Sequence, residues 1–311
     1  MMAILITGAA GFIASHIIEQ LFNSCDEKII GIDNFYSGTK ENIKYLQSID
    51  KNSQLHFIET DIRDPAAIQQ IFKENGITQV YHLAAIVSVV ESIHNPLLSH
   101  EVNVKGTLNI LEASRQHRVN RVVFSSSAAV YGDEPTQPKN EDSLLKPISP
   151  YGYDKLMGEQ YMKLYSDLYG VETVVLRYFN VYGPRQSATS DYSGVISIFD
   201  KKFKNNETPN IYGDGEQYRD FIHVKDVAKI NIKVMDTPNI SGETFCVGTT
   251  QKTSINDLFH LMNKKYNKNL QANYLPARDG DIKESVCDNS KIKDILCMTE
   301  FYKFEKGVME L

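Results

Sequence analysis

The run Ala3-Ile4-Leu5-Ile6-Thr7 is apolar almost throughout, stops at Gly8, and leads through Gly11 into apolar residues at helical spacing. A strand buried on both faces reads this way, because it has no solvent side on which to alternate. Phe12, Ile13, Ile17, Ile18, Leu21 and Phe22 predict a helix over 12–22. Only a tight turn separates strand from helix, and glycine tolerates the close approach such a turn requires. This opening commits the chain to a strand–turn–helix unit of a parallel sheet, so further strands must follow.

They do. Residues 28–32, 55–59, 80–83, 121–125 and 173–176 read as strands, and 65–73, 102–115 and 151–169 as helices. The alternation predicts an α/β chain with a Rossmann-like, doubly wound parallel sheet. After Arg177 the pattern loosens, and loops rich in glycine, proline and asparagine separate shorter elements. Residues 1–177 are therefore expected to form one domain. Residues 178–311 are expected to be mainly a smaller C-terminal lobe, with some segments returning to the first.

A net charge of −6 with interspersed signs argues against a general nucleic-acid binder. No apolar run approaches the length that crosses a bilayer. Cys25, Cys246, Cys287 and Cys297 form no Cys-x-x-Cys pair and no cluster with zinc spacing, so free thiols and no metal are expected. The short apolar start meets a glycine turn, which is unlike a secretory leader. A cytoplasmic location is the expectation.

Gly8, Gly11 and Ala14 lie three apart between the first strand and the first helix, where a backbone can approach a pyrophosphate at the positive end of the helix. Asp33 follows the second strand, where a carboxylate receives the adenosine ribose hydroxyls and repels a 2′-phosphate. NAD is thus expected over NADP. Asp61 and Ile62, after the third strand, are placed to flank the adenine.

Ser125, Ser126 and Ser127 fall at the carboxyl end of the fifth strand, and Tyr151 and Lys155 lie one helical turn apart just downstream. Tyr-x-x-x-Lys is a weak pattern by itself: Tyr36/Lys40 and Tyr302/Lys306 also fit it. Only Tyr151 follows Ser149-Pro150, which favours a helix start. A free phenol has a pKa near ~10, too high for a base at neutral pH. A neighbouring ammonium and a positive nicotinamide ring would favour the phenolate. Tyr151 could then take an alcohol proton while hydride leaves the same carbon, with Ser127 holding the oxygen.

Ordered segments running nearly end to end carry a resemblance. They include His82-Leu83-Ala84-Ala85, Asn103-Val104-Lys105-Gly106-Thr107, Ser125 to Gly132, Ser149 to Lys155, Arg177 to Arg185, Ile211 to Phe221 and Arg278-Asp279-Gly280-Asp281. The sequence resembles the extended short-chain dehydrogenase/reductase family, specifically nucleotide-sugar 4-epimerases of the UDP-glucose/UDP-N-acetylglucosamine type. The resemblance implies a tightly held NAD, oxidation of sugar C4 to a ketone, rotation of the 4-keto ring, and return of hydride to its other face. It gives Ser127, Tyr151 and Lys155 the proton chemistry. Phe12, Ile13, Asn34, Asn103 and Ser125 complete the cofactor set, with Ala84, Ala85 and Tyr178 near the nicotinamide. Asn180, Arg219 and Arg278 would hold the diphosphate, Asp281 the uridine ribose, and Val195 and Tyr212 the uridine pocket. Ser88 lies in the segment beside the sugar phosphates, with Glu91 close by.

Two positions depart from the family pattern: Cys246 stands where asparagine is usual, and Thr250 where glycine is. A 4,6-dehydratase would need an acid–base pair after the strand-five hydroxyl, yet Ala128 and Ala129 stand there. The same segments would also suit an epimerase of UDP-glucuronate. A catalytically silent NAD-binding protein on this fold would usually lack the tyrosine or the lysine, and both are present here. Ser285 occupies the position against the sugar's C2 substituent. Being small, it implies that UDP-GlcNAc and UDP-GalNAc are accepted beside UDP-glucose and UDP-galactose. A homodimer is expected through the helices 102–115 and 151–169, with Leu108, Leu111, Met157, Tyr161 and Leu164 as apolar contacts.

Overall fold

The structure is a computed structural model that describes residues 2–187, 194–277 and 283–311. Its centre is one seven-stranded parallel sheet. Six of its strands are β1 (Ala3–Thr7), β2 (Lys28–Asp33), β3 (Leu55–Glu59), β4 (Ile77–His82), β5 (Arg121–Ser127) and β6 (Glu172–Tyr178). The order is Thr244–Val247, β6, β5, β4, β1, β2, β3. The winding direction reverses between β1 and β4, which leaves a crevice outside their carboxyl ends, the place where open parallel sheets take ligands.

Local chemistry sets the element ends. Asp64 caps the helix Pro65–Asn75 by accepting from Ala66 and Ala67, and Gly76 closes it in the left-handed conformation at φ 59°. Ser149 caps the long helix Pro150–Tyr169, with proline in the first turn and Gly170 at the far end. Strand β4 starts at Ile77, earlier than expected, because the polar pair Thr78-Gln79 hides a strand that the sheet nevertheless pairs. The helix expected over 102–115 is a π-helical turn, Glu101–Gly106, followed by the α-helix Thr107–Gln116. Sequence periodicity does not predict the helix Lys40–Ile49. It buries only Asn42, Ile43 and Leu46, too thin a stripe to read.

Two compact units result: 1–132, 145–177 and 228–245 form one, and 133–144, 178–227 and 246–311 the other. In the first, Leu5, Ile30, Val80, Val122 and Phe124 line one face of the sheet and form one core cluster with Ile110 and Met162. An aromatic-rich cluster fills the second, with Tyr182, Phe199, Phe203, Phe221 and Phe259. Among the described residues no helix is long and apolar enough to cross a membrane.

Candidate active site

Gly8 stands at φ 71°, and a Cβ there would lie 2.9 Å from the Ala84 nitrogen. A Cβ on Gly11 would meet the Gly8 oxygen at 2.9 Å, so only glycine fits either position. The helix Phe12–Leu21 that follows has no side-chain cap and no acidic residue in its first turn. Its N-terminus therefore offers backbone N–H groups and a positive dipole end, which suits a pyrophosphate. Asp33 is buried, and its carboxylate accepts from Phe35 N at 2.7 Å and Ala10 N at 3.0 Å. Burial pushes its pKa up, against those two bonds. Lone pairs remain for ribose hydroxyls. The guanidinium of Arg63 forks onto Asp61, with Nη2 at 2.7 Å, and holds the Asp61 pKa down to about 2. Asn34 bonds the same carboxylate at 2.9 Å. Ile62 is buried in the core, against Gly106.

The loop after β4 is braced from behind. Thr7 Oγ1 accepts from Leu83 N and Ala84 N, both at 3.0 Å, so its own hydrogen goes to His82 Nδ1 at 2.7 Å. The ring hydrogen then sits on Nε2 and reaches Thr107 Oγ1 at 2.9 Å, an assignment made from the network. Burial drives the His82 pKa down to about 3, which keeps the ring neutral. Asn103 is buried and its amide takes Ile86 N at 2.8 Å and gives to Ile86 O at 3.0 Å. Its side chain thus acts on the loop holding Ala84 and Ala85.

Ser127, Tyr151 and Lys155 converge at the carboxyl end of β5. Tyr151 hydrogen-bonds Ser127, and the Lys155 Nζ lies 5.9 Å from the Tyr151 ring centroid. Lys155 donates to the Ser125 carbonyl at 2.7 Å and sits over the Phe124 ring at 4.9 Å. Both groups are buried. Burial raises the Tyr151 pKa to about 12 and lowers that of Lys155 to about 8. In the chain alone, desolvation of the phenol therefore outweighs the Ser127 hydrogen bond, which pulls its pKa the other way.

Against this geometry, known proteins give a consistent answer. The model of the NAD dependent epimerase/dehydratase family matches residues 4–248. The chain belongs to this family, and its cofactor is NAD. It is similar to the UDP-glucose 4-epimerase of Mycolicibacterium smegmatis, 34% identical over 296 residues, covering 95% of this chain and 92% of that one. Its fold matches the crystal structure of the Thermotoga maritima UDP-glucose 4-epimerase with UDP-glucose (TM-score 0.92, 35% identity, 99% of this chain and 96% of that one). It matches equally the UDP-N-acetylglucosamine 4-epimerase of Methanobrevibacter ruminantium in complex with UDP-N-acetylmuramic acid (TM-score 0.92, 38% identity, the same coverage).

Within the second unit, Asn180, Arg219 and Ser285 are brought together. Ser285 lies in register beside Arg219, Asp220 N donates to Ser285 O at 2.9 Å, and Asn180 donates to Asp220 O through both N (3.2 Å) and Nδ2 (3.0 Å). Val195 opens the helix Val195–Lys204, and Tyr212 ends the strand Asn210–Tyr212; both are half-buried. Tyr178 ends β6, and Ser88 caps the helix Val89–His94. Arg278 and Asp281 lie outside the described residues.

Three supporting residues were given no role by the sequence reading. Glu159 and Arg177 form a buried pair at 2.8 Å, with Ser126 donating to Glu159 and Arg177 Nη1 to the Tyr131 hydroxyl at 3.0 Å. This network lies directly under the strand that carries Ser125 and Ser127. Asp220 is buried and accepts from Thr249 N and Thr250 N, each at 2.8 Å, from Thr249 Oγ1 at 2.6 Å and from Cys287 N at 3.2 Å. Glu159 could have been found as the next step of the helical stripe 151, 155, 159.

Proposed function

We propose that this protein inverts C4 of a UDP-hexose, using the NAD of its family, with UDP-GlcNAc/UDP-GalNAc and UDP-Glc/UDP-Gal as substrates. The observation that carries the reading is the convergence of Ser127, Tyr151 and Lys155 beside the crevice between β1 and β4. Gly8, Gly11 and Asp33 would hold the NAD, which would supply the hydride acceptor and then the hydride donor for C4. Tyr151 takes the C4 hydroxyl proton as hydride leaves, then gives a proton back to the carbonyl oxygen. Ser127 holds that oxygen, and Lys155, anchored on the Ser125 carbonyl, supplies positive charge beside the phenol. A dehydratase would also need a second proton-transfer pair after β5. The turn Ala128–Val130 offers none, which favours simple epimerisation.

The first unit is assigned the dinucleotide and the second the UDP-sugar, through Asn180, Val195, Tyr212, Arg219, Arg278, Asp281 and Ser285. A tyrosine at 285 would overfill the space for an N-acetyl group; serine leaves it open. Incubation with UDP-GlcNAc, UDP-Glc and UDP-GlcA separately, with the C4 epimers resolved, tests the reading. The first two are expected to equilibrate. Ser285→Tyr is expected to lose UDP-GlcNAc while keeping UDP-Glc; an unchanged UDP-GlcNAc rate refutes the specificity argument.

The same proposal includes a homodimer. An apolar groove on the first unit is lined by Val104, Leu108, Leu156, Met157, Tyr161 and Leu164. Met157 and Leu164 are 42% and 41% exposed, which leaves them for a second copy to cover. Leu111 is not part of that surface: it is 0% exposed, in the core of its own subunit. Light scattering at micromolar concentration should give twice the chain mass.

A further inference from the structure

The glycine turn after β1 has a loop on either side, and a side-chain bond joins the two. On one side, the loop after β2 is pinned at both ends. Asp33 Oδ1 accepts from Phe35 N at 2.7 Å, Thr39 N donates to Ala10 O at 3.0 Å, and Asn42 Nδ2 donates to the same carbonyl at 2.8 Å. A Cβ on Gly38 would lie 2.7 Å from that of Ala10, so the loop's return is packed directly on the turn. Tyr36 is left near its tip, 56% exposed. On the other side, the loop after β4 touches Gly8 through Ala84 and leads into the helix Val89–His94. There Tyr36 donates its phenol hydrogen to Glu91 Oε1. A closed ring results: Gly8 to Ala10, Asp33 to Tyr36, the phenol–carboxylate bond, and Glu91 back to Ala84.

The Glu91 end of this bond rests on an anchored element. Ser88 caps the helix by accepting Glu91 N at 3.0 Å. Ser92 donates to Val89 O at 2.6 Å and accepts the backbone N–H of Tyr151 at 3.1 Å. The segment bearing Glu91 is thus fixed to the first turn of the helix that carries Tyr151 and Lys155. By contrast, the bond itself is exposed, so it can open without disturbing the core.

We propose that Tyr36 and Glu91 form a strap across the dinucleotide, and that opening this bond limits how fast the cofactor leaves. The inference rests on the NAD reading of the glycine turn. A dinucleotide with its pyrophosphate at Gly8–Gly11 and its adenosine ribose at Asp33 passes beneath the bond. An enzyme that removes hydride and must return it to the same sugar needs its reduced cofactor to stay, and the strap serves that need.

The test is the release of NADH. Protein loaded with NADH is mixed with a large excess of NAD, and the loss of bound-NADH fluorescence gives the dissociation rate. Tyr36→Phe and Glu91→Gln should each release NADH about fivefold faster, the scale of one exposed hydrogen bond to a charged group. The double variant should be no faster than either single one, because both cut the same link. Tyr45→Phe is the control. Its phenol donates to Glu19 Oε1 at 2.9 Å between two helices of the same unit, and it should release at the wild-type rate. Unchanged rates in the Tyr36 and Glu91 variants overturn the strap and leave the NAD site standing. Multiplied effects in the double variant, or an equal effect of Tyr45→Phe, also overturn it. Wild type that holds no NADH overturns the NAD site and the strap together.

Discussion

Replacing Lys155 with methionine is expected to stabilise the cofactor-free protein while removing its activity. The Lys155 side chain is buried, and burial is the largest influence on it, ahead of the attraction of Asp154 and Glu159. Neither carboxylate is free to serve Lys155 alone: Asp154 accepts Ser99 Oγ at 2.6 Å, and Glu159 is paired with Arg177. The pKa falls from 10.5 to about 8. At about 1.4 kcal/mol per unit, that shift makes the charged form cost about 3 kcal/mol at neutral pH. Methionine removes this cost and loses one hydrogen bond to the Ser125 carbonyl, worth about 1 kcal/mol. A net gain of about 2 kcal/mol should raise the apparent melting temperature by a few degrees, on the order of 3 °C.

The sign of the pH dependence follows. The folded-state pKa lies below the unfolded one, so the unfolded chain binds more protons between about pH 8 and 10.5. Wild-type stability from this group is full above pH 10.5 and is lost as pH falls through 8. The advantage of Lys155→Met should therefore be largest at pH 7 and shrink by pH 9.5. Thermal melts of both proteins at the two pH values check it. A variant less stable than wild type at pH 7, or a gap that does not change with pH, refutes the reasoning.

Tyr151→Phe should lower turnover by orders of magnitude while leaving NAD bound, because the phenol is not part of the glycine turn; NAD content and epimer analysis of the same preparation decide it. Arg177→Met strands the buried Glu159 carboxylate and should cost about 3–5 kcal/mol in urea unfolding, whereas Arg177→Met with Glu159→Leu should recover most of the loss. Thr250→Gly should stabilise by about 1 kcal/mol in a thermal melt, since a β-branched residue is disfavoured in the left-handed region; Thr250 sits at φ 70°.

What the chain declares locally, it declares well. The turn Gly8–Gly11, the cap Ser149 and the pair Tyr151/Lys155 each depend on neighbours within a few residues, so spacing read with its local context exposes them. The exception at Thr250 is also local: the departure from glycine marks a backbone position that still takes a positive φ. What sequence reading lost depends mostly on tertiary pairing: Glu159 meets Arg177 only once the helix Pro150–Tyr169 lies on β6. Leu111 reads as an interface residue because periodicity shows that a side chain is apolar, not what buries it. Asn103, expected in the cofactor set, bonds the Ile86 backbone through its side-chain amide, a contact that no spacing reveals.

Electrostatics of the chain alone fit the proposed reaction better than a ready-made phenolate would. Burial moves Tyr151 and Lys155 the same way, toward neutrality: the phenol up to about 12, the ammonium down to about 8. At neutral pH the phenol keeps its proton and the lysine its charge, so neither transfers to the other. In a low-dielectric pocket an added positive charge acts strongly on a neighbouring phenol. Oxidised NAD carries such a charge on its nicotinamide ring, and reduced NAD does not. In the proposed reaction Tyr151 would therefore be pulled toward phenolate when a C4 hydroxyl must lose its proton. It returns toward phenol when a C4 carbonyl must gain one. A phenolate stabilised permanently by the protein would serve the first half of the cycle and hinder the second. Under the proposed reaction, the high resting pKa would let one residue act as base and then as acid, with Ser127 and Lys155 placed around it.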